Sequence, residues 1–121
     1  MMHRPYSDEV FKAEAPVFVR NYVANRVYKK VCIGVLVVVR GYLEVTDNQD
    51  RITELNSIAD TLISRINTHA RNLKSLAIVL SDLSNESEKS NDPDVLKLRG
   101  EIRRLLSQPC LLYTSPSPRD T

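Results

Sequence analysis

The sequence predicts an all-α protein, either a three-helix bundle or an antiparallel coiled coil with one long central helix. Three observations predict it. A heptad pattern runs through the middle of the chain, a capped helix follows it, and a valine-rich segment with one apolar arc precedes it. Residues 1–109 are enough for one small domain and too few for two.

The central helix is predicted from apolar residues that recur at alternating steps of three and four. Nine of its ten seam positions are apolar, and the tenth is His69: Ile52, Leu55, Ala59, Leu62, Ile66, His69, Leu73, Leu76, Leu80 and Leu83. Thr46 and Gln49 have capping-box spacing, with acidic residues in the first turn. We therefore expect a helix over residues 47–84.

The apolar stripe of this helix is longer than the following helix can bury. At 1.5 Å per residue it would be about 57 Å long, against about 20 Å for a following helix over residues 94–107. The uncovered stripe predicts a protein partner or self-association. The expected contact residues are Leu55, Leu62, Ile66, Leu73, Leu76 and Leu80.

The second helix is predicted after a polar linker over residues 85–92. Asp92 is an N-cap residue, and Pro93 is the type preferred at the first helical position. Val95, Leu98, Ile102 and Leu105 then repeat the apolar pattern, although Gly100 costs about 1 kcal/mol relative to Ala. We expect a helix over residues 93–107.

The amino-terminal segment, residues 16–45, has two interpretations. On a helix one apolar arc forms, and the segment would then lie antiparallel along the central helix and complete a three-helix bundle. The residues of that arc are Val23, Val27, Val31, Val35, Val38 and Tyr42. Its many β-branched residues favour strands instead. We favour the helix and keep the strand as the alternative.

Basic residues in this segment give a second candidate function. Between Glu14 and Glu44 there is no acidic residue, and Arg26, Lys29, Lys30 and Arg40 fall on one helical arc beside tyrosines. Such a face binds phosphates of nucleic acid or an anionic membrane surface. The alternative is a solvated face, which scattered basic residues more often form.

Catalytic chemistry has little support in the sequence. His3 and His69 form no ligand pair, Cys32 is the one cysteine in residues 1–109, and the three glycines make no phosphate loop. We expect no enzyme activity, no cofactor and no metal. His69 is a polar residue on the seam, so it sets helix register, acts as a pH-sensitive group or bonds to a neighbour.

The carboxyl end carries a resemblance of another kind. Residues 110–120, CLLYTSPSPRD, resemble the translation of a transposase-type sequencing adapter; the alternative is a Ser/Pro-rich tail that binds in extended form. No family is identified in residues 1–109. The resemblance implies a fragment truncated near Gln108 or Pro109, with an artefactual tail over residues 110–121.

Location and function follow from these features. The start of the chain does not read as a secretory signal, and the longest apolar run, Val31 to Val39, is too short to cross a bilayer, which needs roughly 20 residues. We expect a soluble, cytoplasmic protein. The function predicted is a non-catalytic helical interaction or assembly module, and binding of nucleic acid or an anionic membrane surface is the alternative.

Overall fold

A computed structural model describes residues 6–108, and these residues form an all-α fold. Helix α1 spans Asp8–Val45, α2 spans Gln49–Glu86 and α3 spans Pro93–Ser107, with a short 3-10 helix at Ser87–Lys89 between α2 and α3. The all-α prediction is confirmed. The strand alternative for residues 16–45 is wrong, because the whole segment lies within α1.

Helix α1 begins earlier than the sequence indicated. Ser7 is its cap: the Ser7 carbonyl accepts from the Phe11 N–H at 2.9 Å, and Ser7 Oγ lies 3.5 Å from the Val10 nitrogen. Phe11 and Ala15 are almost fully buried. The burial of these two side chains explains why the helix extends to the amino-terminal side of Pro16. As a result α1 has 38 residues, the same number as α2.

The connection between α1 and α2 differs from the predicted capping box. The Thr46 N–H donates to the Tyr42 carbonyl at 3.0 Å, so Thr46 completes the end of α1. Asn48 caps α2 instead, since its Oδ1 accepts from the Arg51 N–H at 3.1 Å. The predicted Thr46 cap is therefore wrong, and α2 begins at Gln49 rather than at residue 47.

The chain after residue 84 differs from the predicted linker over residues 85–92, because α2 continues to Glu86 and the 3-10 helix follows at Ser87–Lys89. Ser84 and Ser87 are buried, and Ser87 Oγ donates to the Ser84 carbonyl at 2.9 Å. Arg103 Nε of α3 donates to Ser84 Oγ at 3.2 Å. Asp92 is the N-cap of α3 and Pro93 stands in its first turn, the positions that their residue types favour.

The described residues divide into two compact units, and both long helices contribute to each of them. Unit 1 comprises residues 6–23 and 75–108, and unit 2 comprises residues 24–74. The largest fully buried apolar side chains of unit 1 are Phe11, Leu80, Val95 and Ile102.

Unit 2 is a helical hairpin whose core lies between the last part of α1 and the first part of α2. Leu36 and Val39 of α1 pack with Ala59 and Leu62 of α2. Partly buried residues surround this cluster: Cys32, Leu43, Leu55 and Ile66.

Over residues 6–108, no helix combines the length and the apolar character required to cross a membrane.

Candidate interaction surface on helix α1

The structure places the predicted contact leucines mostly inside the chain. Leu62 and Leu73 are buried in unit 2 and Leu80 is buried in unit 1, while Leu55, Ile66 and Leu76 are partly buried. Leu55, Leu62 and Ile66 belong to the hairpin core. These six side chains therefore pack mostly within the chain.

An exposed apolar stripe lies on the part of α1 that belongs to unit 2. We call it the valine face, and it consists of Val27, Val31, Val35, Val38, Tyr42 and Val45. Steps of three and four separate these residues, which places them on one side of the helix. Their exposed fractions range from 43% to 79%, so each keeps a large apolar area in contact with water.

The packed side of α1 is a different stripe. Its residues follow each other at steps of four, three and four: Cys32, Leu36, Val39 and Leu43. Leu36 and Val39 belong to the hairpin core, and Cys32 and Leu43 pack against it. The sequence pattern identified the valine arc but not the side of α1 that faces α2. Helix α1 is apolar on two sides in this region, and the hairpin buries only one of them.

Two glycines adjoin the valine face on the side of Lys30 and Glu44. Gly34 and Gly41 are exposed and seven residues apart, so both lie on the side occupied by Val31 and Val38. A Cβ atom built on either glycine would have no neighbour within 4 Å. A second helix could therefore bring its side chains close to the backbone of α1 at these two positions.

Residues of different character flank the valine face. Lys30, Val37 and Glu44 follow at intervals of seven on one side, and all three are exposed. On the other side Tyr28 is 59% exposed and lies along the same edge of the helix as Tyr42 of the valine face, which is 60% exposed. The surface thus has an apolar centre, an acid and a base near opposite ends of one edge, and tyrosines along the other.

His69 is held by two residues of α1 that the sequence analysis did not single out. Its Nδ1 lies 2.8 Å from Asn25 Oδ1, and the same oxygen accepts from Asn72 Nδ2 at 3.2 Å. The Tyr28 ring stacks on the imidazole at a centroid distance of 5.8 Å and an interplanar angle of 29°. Since Asn25 Oδ1 is an acceptor, the hydrogen bond requires the proton on Nδ1 of His69.

The four basic residues predicted to bind anions all lie on α1. Lys30 and Arg40 are exposed, and Arg26 and Lys29 are partly buried. At 100° per residue they occupy an arc that adjoins one edge of the valine face. The helix therefore carries these basic groups beside an exposed apolar surface.

Polar contacts in unit 1 join its helices. Lys12 Nζ of α1 donates to Asp92 Oδ2 at 2.8 Å. The hydrogen bond from Lys12, followed by one from the Asp94 backbone N–H, lowers the pKa of the Asp92 carboxyl. Burial, followed by the neighbouring Asp8, raises the pKa of Tyr6 to about 12. The contact between Lys12 and Asp92 joins the first part of α1 to the start of α3.

Residues 6–108 contain no group of three or more His, Cys, Asp and Glu side chains placed to hold a metal ion. The candidate tail at residues 110–120 lies outside the described residues. No protein family, curated protein or solved structure matches this chain.

Proposed function

We propose that this chain is a non-catalytic helical interaction or assembly module and that the valine face is its contact surface. The observation that carries the proposal is the exposure of six apolar side chains in a continuous stripe on one helix. Scattered apolar residues are normal on a protein surface, but a contiguous patch of this kind marks an interaction site.

The energetics of burial support a helix as the ligand. Full burial of a valine-sized side chain stabilises a complex by about 1.5–3 kcal/mol, so side chains that are already half buried gain about half of that each. Ridges formed by residues three and four apart fit the grooves of another helix. Helix-in-groove recognition uses anchors at the same spacing.

In-cell thiol labelling tests the proposal. In a background in which Cys32→Ser and Cys110→Ser remove the native thiols, Val38→Cys reports on the valine face. Ile78→Cys is the matched control, because Ile78 is as exposed as the valines but lies on α2 outside unit 2. We expect slower maleimide labelling of Val38→Cys in expressing cells than in dilute purified protein, with no such difference at Ile78→Cys. Equal slowing at both positions, or at neither, contradicts the proposal.

A second candidate function rests on the basic arc. Lys30 and Arg40 are exposed beside the valine face, and Arg26 and Lys29 lie within one turn or so of Lys30. A basic arc next to apolar side chains suits phosphate groups of nucleic acid or of an anionic membrane surface. This candidate predicts binding that weakens steeply with salt.

A further inference from the structure

We propose that the valine face binds a second copy of this chain, with α1 against α1 in antiparallel orientation about a two-fold axis. The inference rests on the proposed function, and it names the ligand of the same surface. The support is that α1 is complementary to itself. In one antiparallel register, three rows of residues along α1 each find a matching residue on the second copy.

The central row pairs valines with glycines. In heptad terms Val31, Val38 and Val45 occupy a positions, and Val27, Gly34 and Gly41 occupy d positions. Antiparallel helices place an a residue of one copy opposite a d residue of the other. One register sets Val31 opposite Gly41, Val38 opposite Gly34 and Val45 opposite Val27. Each glycine then leaves room for a valine of the second copy, consistent with the open space above both glycines.

The same register pairs opposite charges along one edge. Lys30 and Glu44 both occupy g positions, and antiparallel packing brings g residues of the two copies together. Lys30 then lies opposite Glu44 of the second copy, and the two-fold axis creates this pair twice. Val37, the g residue between them, meets its own counterpart at the axis. Opposite charges in facing positions fix both partner and orientation.

The other edge is also self-complementary. Tyr28 and Val35 occupy e positions, as does Tyr42. The register places Tyr28 opposite Tyr42 of the second copy and Val35 opposite Val35. One face of the Tyr28 ring already lies on His69. The exposed remainder of Tyr28 is available for an aromatic contact with the second copy.

A parallel pair of α1 helices would lack these features. In register it would set Gly34 opposite Gly34 and Gly41 opposite Gly41, which leaves gaps at two layers. It would also place Lys30 beside the e-position Val35 rather than beside an acid. The distribution of glycine and charge therefore favours the antiparallel pair.

Charge exchange at Lys30 and Glu44 tests the pairing in the chain of 121 residues. Sedimentation velocity over a range of concentrations should show a monomer–dimer equilibrium. Lys30→Glu or Glu44→Lys should each weaken dimerisation by about tenfold, because a like-charge pair forms twice. The double exchange, Lys30→Glu with Glu44→Lys, should restore it. Arg65→Glu and Glu54→Lys are matched controls at exposed positions of α2, and they should leave dimerisation unchanged.

Oxidative cross-linking fixes the orientation. With Cys32→Ser and Cys110→Ser in place, Val37→Cys should form a covalent dimer readily, since Val37 lies at the two-fold axis of the antiparallel pair. Val38→Cys should cross-link poorly, because it faces Gly34. Efficient cross-linking through Val38→Cys and not through Val37→Cys would instead show a parallel pair and overturn the proposal.

The remaining outcomes separate this inference from the proposed function. A purified chain that stays monomeric at all concentrations overturns the second copy as ligand. If Val38→Cys is nevertheless protected in cells, the interaction function stands with a different protein. If the monomer instead binds vesicles of phosphatidylserine and phosphatidylcholine, the face binds lipid and the dimer proposal fails.

Discussion

Asn25 Oδ1 and His69 Nδ1 lie 2.8 Å apart and join α1 to α2 across the hairpin of unit 2. The interaction spans 44 residues of sequence and sits at a seam position that would otherwise be apolar. Asn72 donates to the same oxygen, so one amide of α1 holds two side chains of α2. These contacts join the two helices at the level of Asn25 and His69.

Loss of the Asn25 side chain should destabilise unit 2. Asn25→Ala removes the acceptor of both hydrogen bonds, and we expect the free energy of unfolding to fall by about 1–2 kcal/mol. Urea titration followed by circular dichroism measures it. Asn56→Ala, at an exposed position of α2, is the control.

Nitrogen NMR of neutral His69 should show the proton on Nδ1, and a proton on Nε2 would contradict the geometry.

Acid should weaken the contact between Lys12 and Asp92. The pKa of Asp92 is lower in the folded state than its ordinary value of 3.8, because Lys12 and the Asp94 N–H favour the carboxylate. Its contribution to stability is therefore complete above that value and is lost as the pH falls through the folded pKa. Lys12→Met should lose less stability than the unaltered chain between neutral pH and about pH 2.

Unfolding by urea at both pH values gives that difference. Asp92→Asn keeps a capping side chain while it removes the charge, and Asp92→Ala removes both. We expect Tm to fall more in Asp92→Ala than in Asp92→Asn. Equal losses in the two variants would show that the cap contributes little.

The core of unit 1 should be sensitive to truncation. Leu80 is fully buried and Phe11 nearly so. Leu80→Ala should cost about 2–5 kcal/mol of unfolding free energy and Phe11→Ala about 3–5 kcal/mol, since each leaves a cavity. Ile78→Ala is the control two residues away, where 60% of the side chain is exposed and the expected cost is smaller. A comparable loss at Ile78 would contradict the orientation of α2.

Two aspartate substitutions should separate folding from association. Leu62→Asp puts a charge into the hairpin core, so helix content by circular dichroism should fall. Val31→Asp puts the same charge on the valine face, where it should leave helix content nearly unchanged and abolish association. Light scattering at matched concentrations measures the second effect. An unchanged melt for Leu62→Asp would contradict the position of Leu62 in the core.

The basic arc makes a separate prediction for anion binding. Replacement of Arg26, Lys29 and Arg40 by Gln leaves Lys30 in place for the dimer contact. If the arc binds phosphate groups, retention on heparin at low salt should fall strongly in this variant, and the unaltered chain should elute at moderate salt. No retention of the unaltered chain would remove the second candidate function.

The sequence predicted the α-helical class because apolar residues recur at helical spacing over long segments. The seam of α2 and the cap of α3 depend on local residue types, and both could be recognised without a structure. The start of α1 could not, because the burial of Phe11 and Ala15 is a tertiary effect. The cap of α2 was also missed, because the side chain of Asn48 rather than that of Thr46 accepts from a free N–H group, that of Arg51.

The valine face shows a different limit of sequence patterns. A 3.6-residue period identifies an apolar arc, but α1 carries two such arcs in unit 2. Only the packing of Leu36 and Val39 against α2 shows which arc is internal. Asn25 was missed for a related reason: a polar residue at a helix position signals nothing until its neighbour across the hairpin is known.

The short connection Thr46–Asn48 has a consequence for the order of folding. Contacts of the hairpin core lie close to this turn, the Asn25 contact with His69 closes 44 residues, and the Lys12 contact with Asp92 closes 80. Loop-closure entropy rises with this separation, so the earliest pairing of helices costs least beside the turn. We expect α1 and α2 to pair first beside Asn48 and then progressively farther from the turn. The packing of α3 against the start of α1 should form last.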